Sequence, residues 1–308
     1  MVPEGTVVMT GASRGIGRIA AERLLREHED LNLVVIGRQA PAEQRAAFGQ
    51  ASWRVTALRA ELASLGQTAD AAGDVADLIG AGRLPPVRAL AWNAGLQRSD
   101  AIGVSPDGFE ETFAVNLLAP HLLTRSLEGL LEAGSRVVVT VSDTHFGDLR
   151  HNLGMVPGPV WAPIERLLRP GGYPRSERVR AGRTAYSTSK LAAIYLVHEW
   201  ARRLTGAPIV SFNPGFVPGT GLARAADPLS RFAMRWLLPA LTLTPLGTSP
   251  QRAGEYLARA IVSDDPPPSG SYIDRNRIAP SSAESMDPSR ERAVWEACEA
   301  AIAPYLER

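Results

Sequence analysis

Short apolar runs rich in β-branched residues alternate along this chain with longer stretches patterned every three to four residues. The first predicts strands and the second helices. Thr6 to Thr10 is predicted as a buried strand, followed by a glycine turn and a helix to about His28. Further strands are expected at Leu31 to Ile36, Arg54 to Leu58, Val87 to Trp92, Arg136 to Val141, Pro208 to Phe212 and Ser271 to Ile273. Helices are expected from near Ser64, from roughly Pro106 to Glu132, and through Tyr186 and Lys190 to about Leu204. Alternation of this kind predicts an α/β doubly wound fold, a seven-stranded parallel sheet covered on both faces. No internal repeat or linker divides it, so 1–308 reads as one domain. Two segments break the alternation, an insertion at 143–185 and a lid-like stretch at 216–250, and both follow the carboxyl ends of strands, where open α/β sheets bind ligands.

Composition narrows this only slightly. The 45% apolar and 21% charged residues are those of an ordinary globular chain, and a net charge of +1 gives no reason to expect nucleic acid as a partner. The one cysteine, Cys298, excludes an intrachain disulfide, and no Cys/His spacing suits a metal. No apolar run reaches the length of a membrane span and no signal peptide is evident, so the expected address is cytoplasmic. A homo-oligomer is left open.

The chemistry concentrates in two places. Thr10-Gly11-Ala12-Ser13-Arg14-Gly15-Ile16-Gly17 lies between a strand and a helix. In that context Gly11 permits the turn, Gly15 lets backbone approach a pyrophosphate, Gly17 packs helix on sheet, and the helix N-terminus attracts the phosphates. The second strand ends Ile36-Gly37-Arg38, without the carboxylate that holds the ribose of NAD, and Arg14 and Arg38 suit a 2′-phosphate. The expected cofactor is therefore NADP(H). The other place is Tyr186-Ser187-Thr188-Ser189-Lys190, which holds the chain's only lysine. On a helix these two side chains share a face, and an ammonium there is expected to lower the phenol's pKa toward working pH.

Together these motifs resemble the short-chain dehydrogenase/reductase family over nearly the whole chain. Asn93-Ala94-Gly95, Asn116, Ser142 and Pro214-Gly215 follow in the family's order, and Glu61-Leu62 stands where the family usually has Asp-Leu near the adenine. Within the family the chain is most similar to the retinol dehydrogenase and protochlorophyllide reductase branch. That similarity rests on Pro214-Gly215-Phe216-Val217-Pro218-Gly219-Thr220-Gly221-Leu222 and on the tail segments around Tyr272 and Trp295. It departs from light-driven protochlorophyllide reductases in having no cysteine near the site, and its 143–185 stretch is longer than usual. The resemblance implies Tyr186 as proton donor, Ser142 as its partner on the substrate oxygen, Lys190 on the tyrosine and the nicotinamide ribose, and Asn116 as holder of a relay water. It also implies that Val217 and Thr220 belong to the cofactor site.

The substrate reading is broader. Phe232, Met234, Trp236, Leu237 and Leu238 suggest an amphipathic helix that could roof a pocket, pack on the core or touch a membrane surface. The insertion could wall the site, bind an anionic group, form an oligomer contact or simply be a loop. His145, Trp161, Phe216 and Trp236 are the candidate substrate contacts. Two functions stay open: an NADPH-dependent reductase of a bulky, mostly apolar ketone or aldehyde (or the reverse oxidation) in specialised biosynthesis, and an NADP(H)-binding protein with a non-redox role as lyase, isomerase or nucleotide sensor.

Overall fold

The computed structural model describes residues 3–152, 154, 156–217, 247–263 and 265–306. Its elements are β1 (Gly5–Thr10), α1 (Gly15–Glu27), β2 (Leu31–Gly37), α2 (Pro41–Ala46), β3 (Val55–Arg59), α3 (Leu65–Gly80) and β4 (Val87–Trp92). These are followed by α4 (Glu111–Phe113), a π-turn over Ala114–Leu118, α5 (Ala119–Leu127), β5 (Leu131–Thr140), and the short α6 (Leu149–Asn152) and α7 (Ile164–Leu167). The chain continues through α8 (Val179–Arg203), β6 (Ile209–Asn213), α9 (Pro250–Val262), β7 (Tyr272–Asp274), β8 (Arg277–Ala279) and α10 (Pro288–Leu306).

The strands form one sheet in the order β3-β2-β1-β4-β5-β6-β7-β8. Every neighbouring pair is parallel except the last, where β8 turns back against β7. The expected seven parallel strands therefore become eight, the extra one a three-residue antiparallel edge too short to show a period of its own. Alternate residues of each strand face opposite sides. Val7, Met9, Leu33 and Val35 pack with α1 and α9 on one face, whereas Val8, Val34, Ile36, Leu90 and Trp92 pack with α3, α5, α8 and α10 on the other. The order reverses between β1 and β4, which puts the crevice at the carboxyl ends of those strands.

Two boundaries differ from expectation for local reasons. Pro106 to Phe109 is not helical. Glu110 caps the helix instead, accepting a hydrogen bond from the Phe113 amide at 2.9 Å, and Val104 bridges to Glu110. Strand β5 begins five residues before Arg136, and its register against β4 slips between Val87 and Ala89, with Gly134 at φ +94°. Among the described residues no helix is long and apolar enough to cross a membrane.

Candidate active site

The glycine turn is built from close backbone contacts. Gly11 sits at φ +70°, and a Cβ there would lie 2.7 Å from the Ala94 amide nitrogen. At Gly17 a Cβ would meet the Gly11 carbonyl oxygen at 2.2 Å, so α1 approaches the turn as closely as it does only without a side chain. Gly15, at φ +57°, has nothing within 4 Å of its Cβ position, and Ser13, Arg14 and Gly15 are all exposed. An open, side-chain-free backbone ahead of the N-terminus of a thirteen-residue helix fits a pyrophosphate. Ile16 is buried on the α1 face of the sheet. Asn93 ties the turn to its neighbours, donating to the Gly11 carbonyl at 3.1 Å and accepting from Thr140 Oγ1 at 3.3 Å, while the Ala94 amide donates to Thr10 Oγ1 at 3.1 Å.

At the end of β2 Arg38 is 67% exposed and its Nη1 lies 3.7 Å from a Glu61 carboxylate oxygen. Leu62, beside it, is buried in the core with α3, so its side chain packs inward. Past β6, Pro214 and Gly215 are half-buried and the Gly215 amide donates to Asn213 Oδ1 at 3.2 Å. Val217 is buried against the α1 face. Thr220, Trp236 and most of the 216–250 lid lie outside the described residues.

The second group gathers where β5 ends. Ser142 follows that strand, and α8 carries Tyr186 and Lys190 beneath it. The Ser142 hydroxyl lies near enough to the Tyr186 phenol to favour its ionised form. Lys190 Nζ donates to the Thr140 carbonyl at 2.9 Å and lies 5.8 Å from the centre of the Tyr186 ring. Tyr186 and Lys190 are both buried, at 6% and 3% exposure. Burial reverses the electrostatics expected from their spacing. It pushes the Tyr186 phenol up to about 12, with the Ser142 hydroxyl opposing and the nearby Asp143 charge adding. It pulls the Lys190 ammonium down to about 8. Desolvation penalises both charged forms, and here it outweighs the attraction that the spacing promises.

Asn116 lies in the π-turn, where the Ala119 amide reaches back five residues to the Ala114 carbonyl. Its side chain clamps Leu96, accepting from the amide at 2.8 Å and donating to the carbonyl at 2.9 Å, and also donates to Ser189 Oγ at 3.0 Å. Both amide hydrogens are thereby used. Gly95 lies between the two polar groups, its Cβ position 3.6 Å from Lys190 Nζ and 3.7 Å from Asn116 Oδ1.

Of the candidate substrate residues, His145 is fully buried. Its Nδ1 donates to the Ser142 carbonyl at 2.7 Å and its Nε2 accepts from the Ser282 amide at 3.1 Å. Burial draws its pKa down to about 4, and a neutral ring with both nitrogens engaged is a pin between chain segments, with none left for a substrate. Trp161 stands edge-on to Tyr195 at 5.5 Å with the Arg290 guanidinium over its ring at 5.1 Å, so it packs on the core instead of facing an open site. Phe216 bridges to Gly247 and accepts from the Thr248 amide at 2.8 Å. Thr140, Asp143, Ser189 and Asn213 all join the site's hydrogen bonds without having been singled out in the sequence. Their signal was adjacency alone, each flanking a motif residue or lying two positions from one.

Residues 5–149 match the family model for short chain dehydrogenase. The protochlorophyllide reductase B of Oryza sativa subsp. japonica is 30% identical over 96% of this chain and 77% of the relative. The chain belongs to the short-chain dehydrogenase/reductase family. A protein of Streptomyces sp. (strain C5) named, provisionally, a daunorubicin C-13 ketoreductase is 29% identical over 98% of this chain and 93% of its own. Among solved structures, the NADPH-bound carbonyl reductase from chicken fatty liver shares the fold, with a TM-score of 0.62 at 16% identity over 91% of this chain and 100% of that one. Family membership makes this chain an oxidoreductase whose cofactor is a nicotinamide dinucleotide.

Proposed function

We propose that this short-chain dehydrogenase/reductase is an NADPH-dependent carbonyl reductase acting on a bulky, mostly apolar ketone or aldehyde. The observation that carries the reading is the buried convergence of the Ser142 and Tyr186 hydroxyls, with Lys190 one helical turn away. The names of the relatives, a ketoreductase and a protochlorophyllide reductase, point toward large ring-containing substrates and specialised biosynthesis. The glycine turn and the α1 N-terminus would hold the dinucleotide phosphates, and Arg38, at a strand end without a carboxylate, would favour the 2′-phosphate.

When bound, the dinucleotide would supply the hydride for the carbonyl carbon. Tyr186 donates a proton to the carbonyl oxygen, and Ser142 hydrogen-bonds the same oxygen and fixes its direction of approach. A phenol held above its ordinary range keeps that proton until a developing oxyanion takes it, which suits reduction better than oxidation. Lys190, its own pKa lowered to about 8, remains mostly cationic at neutral pH and stabilises the tyrosinate left behind. Gly95, whose Cβ position lies within 3.7 Å of both Lys190 Nζ and Asn116 Oδ1, adjoins the path by which reprotonation would reach Lys190.

The test is consumption of NADPH and, separately, NADH with a panel of bulky ketones, aldehydes and enones, alongside Tyr186→Phe. Turnover with NADPH is expected, falling by about 10³-fold in the variant, as for loss of a general acid. Equal turnover in Tyr186→Phe would remove the proton-donor assignment, and preference for NADH would remove the reading of Arg38.

A further inference from the structure

Helix α8 leads from the surface to the proton donor. Val179, Arg183, Tyr186 and Lys190 are spaced by four, three and four residues, so they form one stripe along the helix. Exposure falls along that stripe. Val179 is 46% exposed, Arg183 is half-buried, and Tyr186 and Lys190 are buried. Arg183 is therefore the first charged side chain outside Tyr186 on the face that carries the proton donor.

The backbone that bears it is held firmly. A Cβ at Gly182 would lie 2.5 Å from both the Arg98 carbonyl oxygen and the Asp100 amide nitrogen, so α8 presses directly on that loop. The next loop residue, Ala101, donates to the Ser176 carbonyl at 2.7 Å, and its own carbonyl accepts from the Gly171 amide at 2.8 Å. The segment leading into α8 is thus tied to the same loop that α8 touches.

Charge in this segment is one-sided. Residues 169–183 hold five arginines, Arg169, Arg175, Arg178, Arg180 and Arg183, against the single acid Glu177, a net +4 in a chain whose total is +1. Glu177 approaches Arg178 only at 3.8 Å with both side chains well exposed, a pair that contributes little. The acids beside the adjoining loop, Asp100 and Glu111, pair with Arg98 at 3.6 and 2.8 Å. Arg175 stands at φ +52°, a backbone that glycine adopts without strain, yet the position carries a charge. Crowded like charges repel, and an anion placed among them is attracted by all of them at once.

We propose that Arg183 is a specificity-determining residue whose guanidinium binds a carboxylate or phosphate on the substrate while Tyr186 protonates the carbonyl. This deepens the carbonyl-reductase reading and rests on it. The substrate is then an elongated apolar ketone or aldehyde with an acidic group at least one helical turn, about 5.4 Å, from the reacting carbonyl. A guanidinium matches either anion with two parallel N–H bonds, and its five N–H donors let it keep a partner within the chain at the same time. Arg180 is turned about 120° from Tyr186 around the helix axis, so it adds to the field without lying on the stripe.

The test is calorimetric titration of the full chain with NADP⁺ present, so that no hydride is transferred. The probes are a naphthyl ketone ending in a carboxylate, its phosphate-ended counterpart and its methyl ester. The carboxylate and phosphate should bind about 10-fold more tightly than the ester, as for one charge-assisted contact. That preference should shrink as salt is raised. In Arg183→Ala it should fall to about 2-fold or less, and Arg183→Lys should restore part of it, since the charge remains without the planar fork. Arg180→Ala should keep the preference within about 2-fold of the parent, as expected for an exposed charge screened by solvent. Should Arg183→Ala fail to fold, the salt dependence of the parent and the Arg183→Lys variant carry the test. Failure of the parent to bind the acid, equal binding of acid and ester, a preference that survives in Arg183→Ala, or an equal loss in Arg180→Ala would overturn the proposal. Because calorimetry needs no turnover, failure of the carbonyl-reductase reading would show separately, in the NADPH assay.

Discussion

The glycine turn after β1 and the serine–tyrosine–lysine group after β5 both stand at carboxyl ends of strands in one sheet, yet they are made of opposite materials. The first is backbone, exposed at Ser13 to Gly15, and works by what it lacks: no Cβ fits at Gly17, and none obstructs Gly15. The second is made of side chains beside α8, with Tyr186 and Lys190 buried and Ser142 half-buried, and on the proposed reading it works through the protonation states of the two buried groups. A backbone site is specified by conformation, which glycine spacing declares directly. A buried side-chain site is specified by desolvation, which depends on everything packed around it.

The sharpest way to break that contrast is within the turn itself. Gly17→Ala places a Cβ 2.2 Å from the Gly11 oxygen and 2.3 Å from Asn93 Nδ2, so backbone has to move. The expected loss is about 3 kcal/mol, the upper end of overpacking costs, together with loss of NADPH binding. Gly15→Ala meets no atom and is strained only by φ +57°, so the expected stability cost is about 1 kcal/mol. Urea unfolding and NADPH fluorescence titration measure both. Equal destabilisation by the two substitutions would mean that Gly17 is not a packing requirement.

For the buried group the corresponding lever is pH. His145 has a folded pKa of about 4 against an ordinary 6.5. As pH falls through that window the unfolded chain takes up a proton that the folded protein refuses, so stability falls with falling pH and the contribution is complete above about 6.5. Asp143, raised to about 6, has the opposite sign, contributing stability that is lost as pH rises from its ordinary 3.8 through about 6. The comparison must therefore be made between variants. Between pH 7 and pH 4.5, His145→Gln should lose less stability than the parent, by a slope of about one proton. Identical slopes would mean that the ring is not held neutral.

These two levers also mark what was legible in the sequence. Strands β1 to β7 showed as apolar runs because parallel strands are buried on both faces, and the glycine turn showed because its spacing encodes a conformation. Strand β8 did not, since three residues at an edge carry no period. The start of α4 was read too early because Pro106 to Phe109 continues the helical spacing, while the Glu110 cap that begins the helix depends on its side chain turning back to Phe113. At the site, Ser142, Tyr186, Lys190 and Asn116 were legible as motif members. Their electrostatics were not: spacing put Lys190 beside Tyr186, but the Thr140 carbonyl takes its ammonium and burial outweighs its charge. His145 was misread because chain proximity to Ser142 says nothing about where its two nitrogens go.

The smallest expected effects lie at the exposed end of the comparison, where solvent screens every charge. Arg38 and Glu61 face each other at 3.7 Å, at 67% and 40% exposure, a pair that contributes little to stability. Its interest is competitive, because a guanidinium shared with a carboxylate is less available to a 2′-phosphate. Arg38→Ala should weaken NADPH binding by about 10-fold, the scale of one partly screened charge-assisted contact, and leave NADH binding unchanged. Glu61→Gln should act in the reverse sense and more weakly, tightening NADPH by about 2-fold at low salt and by nothing measurable once the Debye length falls below the pair's reach. Titration of both dinucleotides at two ionic strengths separates the cases. If Arg38→Ala weakens NADH as much as NADPH, the arginine supports the adenosine half as a whole and does not read the phosphate. If Glu61→Gln weakens NADPH instead, then Glu61 orients Arg38 for the phosphate and does not compete for it.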